Sequence, residues 1–249
     1  MQITITAIKH IPEVRPGDDL TTLILAGCRA SGITLQQGDI LVVTQKVVSK
    51  AEGRMVDLRT VEPSDLARRY AERWSKDPRH IEVVLRESAR IVRMDRGLII
   101  SETHHGFVCA NAGVDASNVP GTHMLTLLPV DPDASAARIR EGIAQFTGLD
   151  IAVIISDSFG RPWRNGIVNV AVGVAGLTPL KDYRGQRDEH GYLLQATIIA
   201  VADELASAAE LVMGKVEAAP AALIRGYSYD PAPGTARELI MEPHRDLFR

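Results

Sequence analysis

Two short segments of this 249-residue chain place carboxylates among small polar residues and glycines. The first is residues 111–119 (NAGVDASNV), which contains Asp115. The second is residues 156–167 (SDSFGRPWRNGI), in which Asp157 is followed by Ser158. Hard oxygen ligands on two separate loops are what a magnesium or manganese site needs when it handles phosphates. The segments therefore predict a metal and phosphate site, and the alternative is that both aspartates only form local turns with their own backbone.

A second candidate is the basic segment at residues 44–53 (TQKVVSKAEG), which follows a predicted strand. Lys46 and Lys50 lie four positions apart, so on a helical turn both ammonium groups share one face. Such a face favours binding of a polyphosphate. The alternative is the solvated face of a short helix, and the lysines alone leave both interpretations open.

A third candidate is the sequence GRPWRNG at residues 160–166, which is predicted to be a loop. Pro162 stiffens this loop, and the guanidinium groups of Arg161 and Arg164 would then be able to bind a carboxylate or a phosphate in a fork. The alternative is a loop that is held in place by packing of Trp163, and the sequence leaves both open.

Composition excludes several classes of function. Hydrophobic residues make up 45% and charged residues 24%, as in ordinary globular proteins. A net charge of −3 and an aromatic content of 4% argue against binding of nucleic acid. Cys28 and Cys109 are too far apart in the sequence to match the cysteine spacing of a zinc site. They are expected to be reduced thiols. The sequence shows neither a signal peptide nor an apolar run of about 20 residues, so a cytoplasmic protein without a membrane partner is expected.

Hydrophobic periodicity and helix-capping signals predict a mixed α/β protein that forms a single domain over residues 1–249. The predicted strands are 2–8, 40–44, 150–156, 167–174 and 221–224. The predicted helices are 18–31, 62–74, one that begins at 77, 134–146 after an Asp131-Pro132 start signal, and 197–213. On the last helix, Glu204 and Glu210 are expected to lie on a solvated face. Residues 228–249 are predicted to be an extended tail that docks on a partner or frays. There is neither a P-loop nor a GxGxxG fingerprint, so any nucleotide must be bound by another kind of loop.

Taken together, these segments resemble the coenzyme F420:L-glutamate ligase family, also called F420-0:gamma-glutamyl ligases. The resemblance covers nearly the whole chain. It is carried by IPEVRPGDDL (11–20), GDILVVTQKVVSKAEGR (38–54), DPRHIEVVLRES (77–88), HGFVCANAGVDASNV (105–119), ISDSFGRPWRNG (155–166), DYRG (182–185) and VADELASAAELVMGK (201–215).

The resemblance implies a two-lobed α/β fold and an intertwined homodimer. It also implies a GTP-dependent ligase that joins L-glutamate to coenzyme F420-0 and then in some cases adds further γ-linked glutamates. We expect an acyl-phosphate intermediate, because a carboxylate and an amine do not condense in neutral water. The family uses two divalent cations, magnesium or manganese, and some members are helped by potassium. A flavin-binding half found in a fused actinobacterial form has no counterpart here, so no bound flavin is expected.

Three alternative functions remain open at this point. The first is a related carboxylate–amine ligase that acts on an altered F420 precursor. The second is a non-catalytic regulator that binds GTP and metal, and the third is a metal-dependent phosphatase.

The resemblance also assigns roles to individual residues. Asp115 and Asp157 match ligands of one metal ion, and Ser158 matches a ligand of the other ion. Asp115, Asp157 and Lys50 are the expected catalytic residues. The expected nucleotide contacts are Ile11, Pro12, Glu13, Val14, Gln45, Lys46, Lys50, Asn118, Met213, Gly214, Lys215 and Val216. Lys215 departs from the family pattern, because some relatives have a glutamine or an acid there. Either the second ion is held differently, or Lys215 contacts phosphate directly.

Overall fold

The computed structural model describes residues 2–117 and 121–247, and it confirms the mixed α/β class. The strands are β1 (Thr4–Ile8), β2 (Ile40–Thr44), β3 (Met55–Asp57), β4 (Ser88–Asp95), β5 (Leu98–Thr103), β6 (Val108–Ala110), β7 (Met124–Thr126), β8 (Ala152–Arg161), β9 (Arg164–Ala175), β10 (Lys181–Asp182), β11 (Ile198–Ile199) and β12 (Ala221–Arg225). The α-helices are α1 (Leu20–Ala30), α2 (Gln45–Ala51), α3 (Asp65–Trp74), α4 (Pro78–Arg86), α5 (Pro132–Thr147) and α6 (Val201–Met213).

A five-stranded sheet in the order β1-β12-β2-β8-β9 forms the centre of the molecule. The β2–β8 pair is parallel and the other pairs are antiparallel. Side chains alternate across β2, so that Leu41 and Val43 join the cluster with α1 and α5, whereas Ile40 and Val42 join the cluster with α6. Helices therefore cover both faces, which explains the continuous apolar run of β2.

Local capping chemistry sets the helix boundaries. Asp131 accepts a hydrogen bond from Ala134 N at the start of α5, Pro132 is the first helical residue, and Gly148 ends the helix in a left-handed conformation. The same aspartate–proline order begins α4. The helix predicted at 197–213 begins only at Val201, because the residues before it pair with β10.

The prediction of a loop at residues 160–166 is largely wrong. Strand β8 continues to Arg161 and β9 begins at Arg164, so the two strands form a long hairpin with a tight turn. Trp163 lies in this turn with a positive φ of 57° and is 82% exposed. It therefore does not hold a loop in place by packing, as the alternative interpretation of this segment required.

A third hydrophobic cluster lies outside the central sheet. It is built from α3, α4 and the small sheets β4-β5-β6 and β3-β7. Its most buried members include Ala67, Val84, Ile99 and Leu125. The two-lobed arrangement and the homodimer stay predictions.

Residues 228–247 lie against the chain's own core over part of their length. Ala236 is fully buried beside α6, and its backbone N donates to Asp133 Oδ1 at 2.8 Å. Docking of this tail on a partner stays a prediction. Within the described ranges, no helix is both long and apolar enough to cross a bilayer.

A buried ion pair fixes the end of the central sheet that lies away from the carboxyl ends of β2 and β8. The Asp39 side chain is 1% exposed and accepts from Arg225 Nε and Nη2, each at 2.7 Å. We predict that Arg225→Leu lowers the free energy of unfolding by about 2 kcal/mol, because it leaves a buried carboxylate without its charge partner. Arg225 is partly exposed, which keeps the loss below that of a fully buried pair.

Urea unfolding monitored by circular dichroism measures this loss. Arg93→Leu is the matched control, because its pair with Asp95 is exposed on both sides. That variant should lose less than about 1 kcal/mol. Equal losses in the two variants would contradict a special role for the Asp39–Arg225 pair.

Candidate active site

A cavity of about 1150 Å³ opens where the parallel strands β2 and β8 end. Thr44 and Ser156 are directly paired at this edge, so the residues that follow them are brought together. Carboxyl ends of parallel strands are the usual place for a ligand in α/β sheets. The charged residues that line this cavity, among those described, are Glu13, Lys46, Lys50, Asp115, Asp157, Glu210 and Lys215.

Asp115 reaches the cavity from a sharply turned loop. Asn111, Ala112 and Gly113 all have positive φ, and the backbone of Asp115 then pairs with Thr126. The Asp115 carboxylate accepts Ser117 N and lies 2.7 Å from the Lys46 ammonium. Burial opposes ionisation of Asp115, but the hydrogen bonds from Lys46 and Ser117 outweigh it and hold the pKa below its ordinary value.

Asp157 reaches the cavity from the extended part of β8, where it pairs with Val170. Burial raises its pKa to about 6, and the nearby Asp115 charge acts in the same direction. The hydrogen bond from Ser158 N, at 2.8 Å, opposes this rise. The Lys46 charge also favours the ionised form of Asp157, but neither it nor the hydrogen bond offsets the effect of burial.

The two lysines of α2 both line the cavity, as the helical spacing suggested. Lys46 contacts Asp115 and also Ser117 Oγ. Lys50 Nζ lies 2.6 Å from Glu13 Oε1, and its side chain is only 7% exposed while that of Glu13 is 60% exposed. A ligand phosphate is thus able to replace the Glu13 carboxylate without moving Lys50.

Most of the predicted nucleotide contacts line this cavity. These are Ile11, Pro12, Glu13, Val14, Lys46, Lys50, Met213, Gly214, Lys215 and Val216. Gln45 does not line it: its side chain is buried and accepts Ser49 Oγ at 2.8 Å, and its Nε2 lies near Asp157 outside ordinary hydrogen-bond geometry. Asn118 lies outside the described residues. The nucleotide roles themselves stay predictions.

The expectation that Glu210 lies on a solvated helix face is wrong, although Glu204 is exposed as predicted. Glu210 accepts Asn169 Nδ2 at 2.9 Å and pairs with Lys215 Nζ at 2.8 Å. Two features of the sequence indicate this position. Glu210 lies one helical turn before Met213, and Asn169 is a polar residue within an apolar strand.

The hairpin arginines are not among the residues that line the cavity. Arg161 Nη2 donates to Asn165 O at 2.8 Å within the hairpin itself. Their predicted contact with a substrate carboxylate therefore has no support in this arrangement of the chain.

Charge pairing distinguishes one carboxylate from the others. Lys46, Lys50 and Lys215 each lie within 2.8 Å of a carboxylate oxygen, on Asp115, Glu13 and Glu210 respectively. In the part of the chain that the structure describes, Asp157 has no such partner. Nor do residues 2–117 and 121–247 contain a group of three or more His, Cys, Asp or Glu side chains that is placed to hold a metal ion. A cation at Asp157 would therefore need further ligands from substrate or water.

Comparison with known proteins gives a consistent result. The sequence profile of the family F420-0:Gamma-glutamyl ligase matches residues 9–226. The coenzyme F420:L-glutamate ligase of Methanothermobacter thermautotrophicus is 47% identical over 252 residues, which covers 100% of both chains. The enzyme of that name from Methanopyrus kandleri is 48% identical over 242 residues, 95% of this chain and 94% of its own. The one from Methanocaldococcus jannaschii is 44% identical over 216 residues, 86% of each chain.

The raised pKa of Asp157 predicts a pH-dependent stability in protein that is free of metal and nucleotide. Because the folded pKa, about 6, exceeds the ordinary value of 3.8, ionisation destabilises the fold as the pH rises between these values. Asp157→Asn should therefore raise the free energy of unfolding at pH 8 by on the order of 2 kcal/mol. The gain should vanish below about pH 4.

Urea unfolding with EDTA at several pH values measures this difference. Glu141→Gln, which removes an exposed carboxylate on α5, is the matched control and should show little change at any pH. A gain for Asp157→Asn that is independent of pH would contradict the assignment.

Proposed function

Because the chain belongs to the F420-0:gamma-glutamyl ligase family, we propose that it joins L-glutamate to coenzyme F420-0 with GTP as co-substrate. GDP and phosphate are the products. The observation that carries this proposal is the cavity at the ends of β2 and β8, in which lysine ammonium groups and aspartates converge. Polyphosphates and carboxylates are the ligand groups that such a mixture of charges would bind.

The size of the cavity supports a reaction with several substrates. Its volume of about 1150 Å³ is at or above the upper end of the range for a single small ligand, which is roughly 300–1,000 Å³. A nucleotide and the end of a second substrate would fit together. Their reacting groups would then be held close, which is the main catalytic contribution in phosphoryl transfer.

The residues present fit a divalent cation at the Asp115–Asp157 end of the cavity. Asp157 is half-buried and has no lysine within salt-bridge distance among the described residues, so its carboxylate is able to accept a cation. Asp115 and Asp157 would hold magnesium or manganese, whose preferred ligands are carboxylate oxygens. Lys46 would then have to leave the Asp115 carboxylate, which it contacts at 2.7 Å. When bound, the ion would neutralise charge on the transferring phosphoryl group. A stimulating potassium ion stays a prediction.

The mechanism that we propose activates a carboxylate of F420-0 before the amide forms. A carboxylate oxygen attacks the γ-phosphorus of GTP, the bond to the β,γ-bridging oxygen breaks, and GDP leaves. Lys50, released from Glu13, would bind polyphosphate oxygens from a buried position, where its charge is little screened by water. The amine of glutamate then attacks the acyl carbon, and phosphate leaves as the amide bond forms. Repetition on the product would add further γ-linked glutamates.

The alternatives make different predictions for the same assay. A ligase for an altered F420 precursor would bind GTP but leave F420-0 unchanged. A regulator would bind GTP and metal without turnover, and a phosphatase would release phosphate from GTP in the absence of glutamate. The presence of Lys50 and two aspartates in the lining of one cavity favours a phosphoryl-transfer enzyme over a pure binding protein.

Mass spectrometry of F420-0 incubated with the protein, GTP, manganese and L-glutamate tests the proposal directly. We expect a gain of one or more glutamyl masses and phosphate release that requires both acceptor and glutamate. Asp157→Asn should reduce the rate by at least about 100-fold, because it removes an anionic ligand from the cation that assists transfer. Glu141→Gln should react at the wild-type rate.

A wild-type protein that leaves F420-0 unchanged would exclude this substrate. Near-normal activity of Asp157→Asn at ordinary manganese concentration would contradict the metal assignment instead. The two failures are therefore distinguishable.

Lys50→Met tests the polyphosphate contact, because methionine keeps most of the side-chain volume and removes the charge. We expect the Kd for GDP to rise by roughly 10- to 100-fold, since a charge-assisted hydrogen bond contributes about 1.5–3 kcal/mol. Isothermal titration calorimetry measures this change. Lys76→Met, which removes an exposed lysine outside the cavity, is the control. An unchanged Kd in Lys50→Met would exclude Lys50 from the phosphate contacts.

A further inference from the structure

We propose that the Lys215 ammonium takes the place of a second divalent cation in this chain, so that each active site binds a single divalent ion. This inference rests on the proposed function, in which a nucleotide and a cation share the cavity. It concerns the end of the cavity formed by Ser158, Glu210 and Lys215, which adjoins the predicted ion at Asp115 and Asp157 because Ser158 directly follows Asp157.

Four side chains form a closed ring of hydrogen bonds at this end. Lys215 Nζ donates to Ser158 Oγ at 2.6 Å, and Ser158 Oγ donates to Asn169 Oδ1 at 2.7 Å. Asn169 Nδ2 donates to Glu210 Oε2 at 2.9 Å, and Glu210 Oε1 pairs with Lys215 Nζ at 2.8 Å. Each donor in the ring thus faces an acceptor, and both oxygens of the carboxylate are used.

A divalent cation at the same place would have to break this ring. It would need the lone pairs of Ser158 and Glu210, which already accept from Lys215 and Asn169. It would also lie beside an ammonium group, and the two positive charges would repel each other. The Glu210 and Lys215 charges cancel, so these two side chains together do not attract a second cation.

The contrast with the other end of the cavity explains why a single ion is expected. Asp157 is half-buried, and no lysine lies at contact distance from its carboxylate within the described ranges. The cation therefore binds there, whereas the ring supplies its own positive charge.

Lys215 is also placed to touch the ligand. Its side chain is 54% exposed and lines the cavity. An ammonium group has three protons, and contacts within the described residues use two of them, on Ser158 and Glu210. The third proton is then available to a phosphate or carboxylate oxygen of a bound substrate. A metal ion at this place would contact the same substrate oxygen.

Manganese binding counted by electron paramagnetic resonance tests the proposal, because free Mn²⁺ gives a sharp signal that is lost on binding. The protein is titrated with Mn²⁺ in the presence of the non-hydrolysable analogue GMPPNP. We expect a single ion per wild-type chain. Lys215→Gln should bind a second ion, because it removes the ammonium and adds an amide oxygen. Two ions about 4 Å apart should also show spin coupling that the wild type lacks.

Two further variants complete the experiment. Lys76→Gln removes a lysine outside the cavity and should still bind a single ion. Glu210→Gln should also bind a single ion, whereas it would lose one if Glu210 were a metal ligand in the wild type. Circular dichroism shows whether each variant is folded.

The outcome is decisive in either direction. Two ions in the wild type, no ion in the wild type, or no additional ion in folded Lys215→Gln would each overturn the proposal. If F420-0 gains no glutamate while the wild type still binds a single ion, the proposed function fails and this inference stands.

Discussion

The parallel pairing of β2 with β8 is the constraint on which the rest of the structure depends. Its register pairs Thr44 with Ser156, so both strands end at the same edge of the sheet. Lys46, in the first turn of α2, and Asp157, one residue beyond the pair, therefore enter the same cavity. Both strands are buried on their two faces, and a shift by one residue would exchange the side chains that pack on α6 with those that pack on α1 and α5.

Electrostatic pairing then determines what the cavity is able to bind. The three lysines are each held by a carboxylate, and the exposed Glu13 is the partner that a ligand displaces most easily. Asp157 is different, because burial penalises its charge and no ammonium compensates it at contact distance in the described residues. The cavity thus has ammonium groups that are able to bind phosphate at one place. At another place it has a carboxylate, on Asp157, that is able to bind a cation.

The ring around Lys215 shows how a single side chain changes such a site. Ser158 and Glu210 have the oxygen atoms of a cation site. The Lys215 ammonium between them already donates to both side chains, so it supplies the positive charge that a cation would otherwise bring. Asn169 is the buried member of this network, and a buried polar group needs a partner for each donor and acceptor, so the lysine stabilises the network by completing it. The identity of one residue on the loop after α6 is therefore expected to set the number of ions.

The sequence by itself determined the fold class, the family, the main helices and strands and most residues of the cavity. Local signals suffice for these features, because alternation of apolar residues, aspartate–proline helix starts and the family motifs are encoded within a few positions. It did not reveal that Glu210 faces the cavity, that Asn169 joins it, or that residues 160–166 continue two strands. Those features depend on tertiary structure, because a helix face becomes solvated or buried only according to what packs against it. Only the pairing of β8 with β9, and the position of α6 across them, brings Asn169, Glu210 and Lys215 to Ser158.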